Sequence, residues 1–146
     1  MNLAIWDIES SSASTDFGSI IEIGGVLVDE NFKEKDRFNL RCRLPEGEIF
    51  QAMALIVNKT SIKKLTQANL SHYQMLAEVE KIFKKWSPAI FLGWSNIGFD
   101  DEMIRKEFFK GIRYPYLTNA APNKRHDGIN IARAAYAVDP NILEVE

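Results

Sequence analysis

Leu3-Ala4-Ile5-Trp6-Asp7-Ile8-Glu9 is an apolar run that gathers two carboxylates at its end. Its unbroken hydrophobic start, Leu3 to Asp7, predicts a strand buried on both faces. Asp7 and Glu9 stand two residues apart, so on a strand both side chains leave the same face while Ile8 points the other way. Two carboxylates that close repel by roughly 4 kcal/mol at 4 Å and an effective dielectric of 20, and a divalent cation reverses the sign. Mg²⁺ or Mn²⁺, which favour oxygen ligands, suit such a pair. An Asp-x-Glu pair is common in ordinary sequences, and Asp100 to Glu102 repeats it here. Position distinguishes the first pair, because the carboxyl end of a strand is where α/β sheets place their sites.

Working outward, Ser10 to Gly18 reads as a Ser-rich loop, and Ser19 to Asp29 as a second strand in which Gly24-Gly25 allows close backbone approach. Phe32 to Arg43 alternates Phe38, Leu40 and Cys42 with Asn39, Arg41 and Arg43, the period of a half-exposed strand. The three form a meander. Helical patterning follows Pro45 and is clearest from Tyr73 to Trp86, preceded by a Ser71/Gln74 capping box and closed by Ser87-Pro88. Ala89 to Trp94 is a short buried strand reached through that helix, hence parallel to the first. Phe99 to Lys110 is a helix stopped by Gly111, and Asp127 caps a last helix, Gly128 to Val138, ended by Pro140. The order describes a single α/β domain over residues 1–146 with a mixed sheet flanked by helices.

Asp100, in the first turn after the parallel strand, is the third candidate ligand. It is either a partner of the helix dipole or a carboxylate facing Asp7 and Glu9 across a cleft. Asp101 is expected to face solvent. The chain has 146 residues, 46% hydrophobic and 26% charged, with net charge −2, which argues against a general nucleic-acid coating protein but not against a nuclease. Its single cysteine and the lack of a basic-then-apolar leader point to the cytoplasm, and no apolar run approaches membrane-spanning length.

Trp6 to Glu9 (W-D-I-E), Ile20 to Val26 (I-I-E-I-G-G-V) and Asn96 to Glu102 (N-I-G-F-D-D-E) together resemble the DEDD, or DnaQ-like, 3′→5′ exonucleases of the ribonuclease-H-like fold. F-D-D-E-M-I-R-K-E-F-F with Tyr114-Pro115-Tyr116, Arg125-His126-Asp127 and A-R-A-A-Y is most similar to their exonuclease I group. The resemblance implies two-metal hydrolysis releasing nucleoside monophosphates from the 3′ end of single-stranded DNA. Asp7 would bridge two Mg²⁺ (or Mn²⁺) ions, Glu9 would hold the ion that activates water, and Asp100 would steady the site. It also implies that Ser10 touches the terminal nucleotide; Phe17, an aromatic suited to stacking on a terminal base, and Asn96 are further substrate-binding candidates.

That family completes its site with a His or Tyr several residues before a fourth Asp. Here His72 is followed at that offset by Ala77, and His126 by Ile131. The chain is therefore expected to be a C-terminally truncated exonuclease domain, inactive or severely impaired alone. A 3′→5′ exoribonuclease and a non-catalytic nucleic-acid-binding module are the alternatives. Lys33, Lys35, Arg37, Arg41, Arg43, Lys59, Lys63 and Lys64 are either DNA-backbone contacts or a solvated face, while Trp94 and Phe99 are expected in the core.

Overall fold

The computed structural model describes residues 1–143. Five strands form one mixed sheet: β1 (Asn2–Ser10), β2 (Ile20–Val28), β3 (Glu34–Arg41), β4 (Ala89–Gly93) and β5 (Lys124–Asp127), in the spatial order β3-β2-β1-β4-β5. The β1-β2-β3 meander is antiparallel, and β4 runs parallel to both β1 and β5. The helices are α1 (Ala52–Val57), α2 (Ile62–Thr66), α3 (His72–Trp86), α4 (Asp100–Lys110) and α5 (Gly128–Val138), followed by a 3₁₀ turn at Pro140–Leu143. None of the described helices is long and apolar enough to cross a membrane.

β1 is buried on one face only, which corrects the sequence expectation. Ala4, Trp6 and Ile8 enter the core, whereas Ile5 is 41% exposed and Asp7 is open to solvent. Apolar packing therefore follows the even residues and leaves the odd ones, Asp7 and Glu9 among them, on an accessible face. α3 covers the even face with Met75, Leu76, Val79, Phe83 and Trp86, and α4 adds Met103, Ile104 and Phe108 to the same cluster. Phe83 meets Trp6 edge-on at 5.6 Å and Phe91 at 4.9 Å, the geometry aromatic quadrupoles favour. On the other face, α1 and α2 cover only the end of β2, where Leu55 and Leu65 pack on Ile21.

α3 starts where its capping box places it. The Gln74 amide donates to Ser71 Oγ at 3.2 Å, and the Ser71 amide donates to Gln74 Oε1 at 2.9 Å. Ser71→Ala should cost about 1 kcal/mol in urea unfolding without changing the denaturant slope. A loss below a few tenths would show that tertiary packing alone fixes this helix end.

Candidate active site

β4 stops at Gly93 and pairs with β1 no further than Ile5, so beyond that point the β4-facing edge of β1 is free. Asp100, at the start of α4, fills that edge: its Oδ1 accepts the Ile8 amide at 3.3 Å. The contact puts Asp100 at the backbone between Asp7 and Glu9, three carboxylates drawn from two elements. Opposite Asp7 in the register stands Gly24, whose missing side chain leaves the floor beside Asp7 open. The register slips between Glu9 and Ser10, and such bulges re-aim side chains beside sites.

Electrostatics mark the same residues. Asp100 is 6% exposed, and its carboxyl is pushed up to about 6, first by burial and then by the charge of Asp7. Burial raises Glu9 too, helped by Asp7 and by Glu22 across the strand pair, with Arg41 pulling the other way. Arg41 reaches Glu22 from β3, its Nε donating to Oε2 at 2.8 Å, and so offsets the Glu9–Glu22 repulsion. Glu22 is a site neighbour the sequence reading left unassigned, although its place on the accessible face follows from the β1–β2 register. A hollow of about 700 Å³ runs from Asp7 and Glu9 over Gly24 and Gly25 to Arg37, Arg41, Lys59 and Lys64. Several of the basic residues are already engaged: Arg37 with Glu34, Arg41 with Glu22, and Arg43 with the carbonyls of Ala68 and Asn69 at 2.8 and 2.9 Å.

Ser10, 7% exposed, donates its hydroxyl to the Ser12 carbonyl at 2.7 Å and lines a smaller apolar hollow of about 280 Å³ with Met53, Val57 and Phe99. Phe17 is 83% exposed on the adjoining loop, which Lys106 of α4 ties down through Asp16 at 2.5 Å. Asn96 is turned into the protein at 1% exposure, away from the open face. Two further expectations are corrected. Asp101 does not face solvent but is buried, pushed up to about 6 by burial against the pull of Arg125 and Thr118. Trp94 is 65% exposed rather than core, its ring against Gly128, while Phe99 packs on the core as expected.

Among the described residues, no three His, Cys, Asp or Glu side chains form a ready-made ion cage. The donor chemistry nonetheless fits a hard divalent cation: Asp7, Glu9 and Asp100 offer only carboxylate oxygens, and their mutual repulsion is what a cation relieves.

No known family profile matches the chain. Individual proteins do. Exodeoxyribonuclease I of Buchnera aphidicola is 22% identical over 146 residues, covering 99% of this chain and 30% of the relative. The Haemophilus influenzae protein of the same name is 24% identical over 138 residues, covering 93% and 29%. The crystal structure of Escherichia coli exonuclease I in complex with a dA16 oligonucleotide superimposes with a TM-score of 0.90 at 20% identity, covering 99% of this chain and 32% of that one. The likeness is to the N-terminal part of exonuclease I. The mixed sheet and its helices are thus the ribonuclease-H-like exonuclease I fold, and the chain spans about a third of the length of these exonuclease I proteins.

Proposed function

We propose that these residues supply the carboxylate wall of a 3′→5′ exonuclease site that degrades single-stranded DNA to nucleoside monophosphates. The observation that carries this reading is the Asp100–Ile8 contact, which joins a helix carboxylate to a strand already bearing Asp7 and Glu9 on its open face. Likeness to proteins named exodeoxyribonuclease I, one of them solved with a DNA oligonucleotide, supports DNA as substrate. Asp7, Glu9 and Asp100 would hold Mg²⁺ or Mn²⁺, and in the complete site two ions, whose chemistry is to sharpen a water nucleophile and stabilise the leaving oxygen. The chain's own part is to bring those carboxylates together against their mutual repulsion and to keep the face above β1 and β2 clear for a strand end. The basic side chains at the far end of the hollow suit the phosphates behind that end.

His72 lies beside Glu107 in the helical layer, and His126 sits on β5. Neither is assigned as general base, a group that contributes 10²–10⁴-fold, so residues 1–146 alone are proposed to be severely impaired. The test uses 5′-labelled oligonucleotides of matched DNA and RNA sequence with Mg²⁺. This chain is compared with a form that also carries sequence corresponding to the rest of the exonuclease I length. A one-nucleotide ladder from the DNA, seen only with the longer form, is the expected result. RNA degraded in preference, or cuts within the strand, would overturn the reading.

A further inference from the structure

α4 begins without a side-chain cap: Phe99 precedes it and offers no hydrogen bond to the free amides of the first turn. What holds that turn is Asp101. Its Oδ2 accepts from Asn96 Nδ2 at 2.7 Å and lies 3.8 Å from Arg125 Nε, while Oδ1 accepts from Thr118 Oγ1 at 3.2 Å. The backbone repeats the link, since the Asp101 amide donates to the Asn96 carbonyl at 3.0 Å. Asn96 is itself wedged against Gly93, where an added Cβ would come within 2.6 Å of it. The carboxylate therefore joins α4 to the end of β4, to the segment bearing Thr118, and through Arg125 to β5.

Met103, Ile104 and Phe108 already bury the inner face of α4. Apolar contacts of that kind hold a helix against a sheet but leave its first turn free to rotate or shift by a fraction of a turn. Two directional hydrogen bonds to one carboxylate, with the longer ion pair to Arg125 beside them, remove that freedom. Successive helical side chains diverge by about 100°, so fixing Asp101 inward fixes Asp100 toward β1.

We propose that Asp101 is the positioning residue of the site, which with Asn96, Thr118 and Arg125 sets the first turn of α4 so that Asp100 meets β1 between Asp7 and Glu9. The inference rests on the metal-holding reading of those three carboxylates. The Ile8 amide gives a readout that is independent of that reading, because it donates to Asp100 directly. In ¹⁵N NMR spectra of this chain, recorded where each variant is fully folded, Asp101→Ala should move the Ile8 amide and lower Mn²⁺ affinity at Asp7 and Glu9 by about 10–100-fold, the range for residues that orient metal ligands. Thr118→Val, which removes one bond from the opposite side, should do the same in smaller measure. Asp101→Asn keeps the shape and should fall between parent and Asp101→Ala.

A merely structural Asp101 would lower the melting temperature and leave both signals where they are. That result in folded Asp101→Asn and Thr118→Val overturns the inference, and these two decide the matter if Asp101→Ala does not fold. If the parent chain shows no Mn²⁺ broadening beside Asp7, the metal reading fails instead, and the Ile8 shift alone decides whether Asp101 places Asp100.

Discussion

Asp7→Ala, made in a form of the protein that digests single-stranded DNA with Mg²⁺, is expected to lower monophosphate release by about 10³-fold or more while leaving the fold intact. Asp7 sits on the open face of β1 opposite Gly24, so its side chain fills no core space and truncating it makes no cavity. Surface changes of that kind usually shift stability by about 0.5 kcal/mol or less. Here the small shift should favour the variant, because the charge of Asp7 adds to burial in raising both Glu9 and Asp100. Loss of a ligand from the proposed metal site would remove several kcal/mol of charge stabilisation in the transition state, and each 1.36 kcal/mol is tenfold in rate. Initial rates on a labelled oligonucleotide, with melting curves alongside, check both halves. Glu22→Gln is the control: Glu22 lies in the same row of charges but is held by Arg41, and a modest change in rate is expected. Digestion retained in Asp7→Ala would remove Asp7 from the site, and the assignment of Glu9 would go with it.

The parts of the fold visible in the sequence were those whose signal is local. The Ser71/Gln74 box, the Gly111 stop and the Asp127 cap each depend on residues within about a turn, and the structure has all three at those positions. The parallel pairing of β4 with β1 followed from the helical crossover between them. β5 has no signature in the sequence, because Lys124-Arg125-His126-Asp127 has no apolar residue; what makes it a strand is the vacant edge of β4. Trp94 reads as the end of an apolar run, yet the strand ends at Gly93, where Asn96 turns inward and the indole swings out. Asp101 reads as solvent-facing for a similar reason. Adjacent acids in a first turn look like dipole partners, and the residues that bury this one, Thr118 and Arg125, come from segments whose approach no local pattern encodes. The proximity of the three candidate carboxylates is half legible: Asp7 and Glu9 share a face through their two-residue spacing, and the facing helix needs the fold to bring Asp100 to them.

The metal-free chain should be more stable near pH 5 than at pH 7.5, against the usual behaviour of carboxylates. Asp100 and Asp101 are each pushed up to about 6 from 3.8, and burial also raises Glu9 and Glu107. In the folded state these groups keep a proton that the unfolded chain has released, so each contributes stability at low pH that is lost as pH rises; for Asp100 and Asp101 it is present below about pH 4 and lost as pH rises through about 6. At 1.36 kcal/mol per pKa unit, Asp100 and Asp101 each account for a loss of about 3 kcal/mol over the whole rise from below pH 4, of which about 1–1.5 kcal/mol falls between pH 5 and 7.5. His72 works in the opposite sense, since burial lowers its pKa and the unfolded chain then holds the extra proton below about pH 6.5. It is one group against four. Exposed Glu34 and half-buried Asp36, lowered by Arg37 and by Trp86 with Lys85, act in a different window and lose their contribution only as pH falls below about 4. Urea unfolding across pH 4.5–8 should therefore show stability falling with pH, and Mg²⁺ at millimolar concentration should recover at pH 7.5 the share that belongs to Asp100 and Glu9, because the ion binds only the deprotonated folded site. Asp100→Asn keeps the acceptor for the Ile8 amide and removes the charge. It should make the metal-free chain more stable at pH 7.5 by about 1–3 kcal/mol and abolish the response to Mg²⁺. A residue retained for the fold alone would do the reverse: its replacement would destabilise the chain at every pH, and the metal response would survive it.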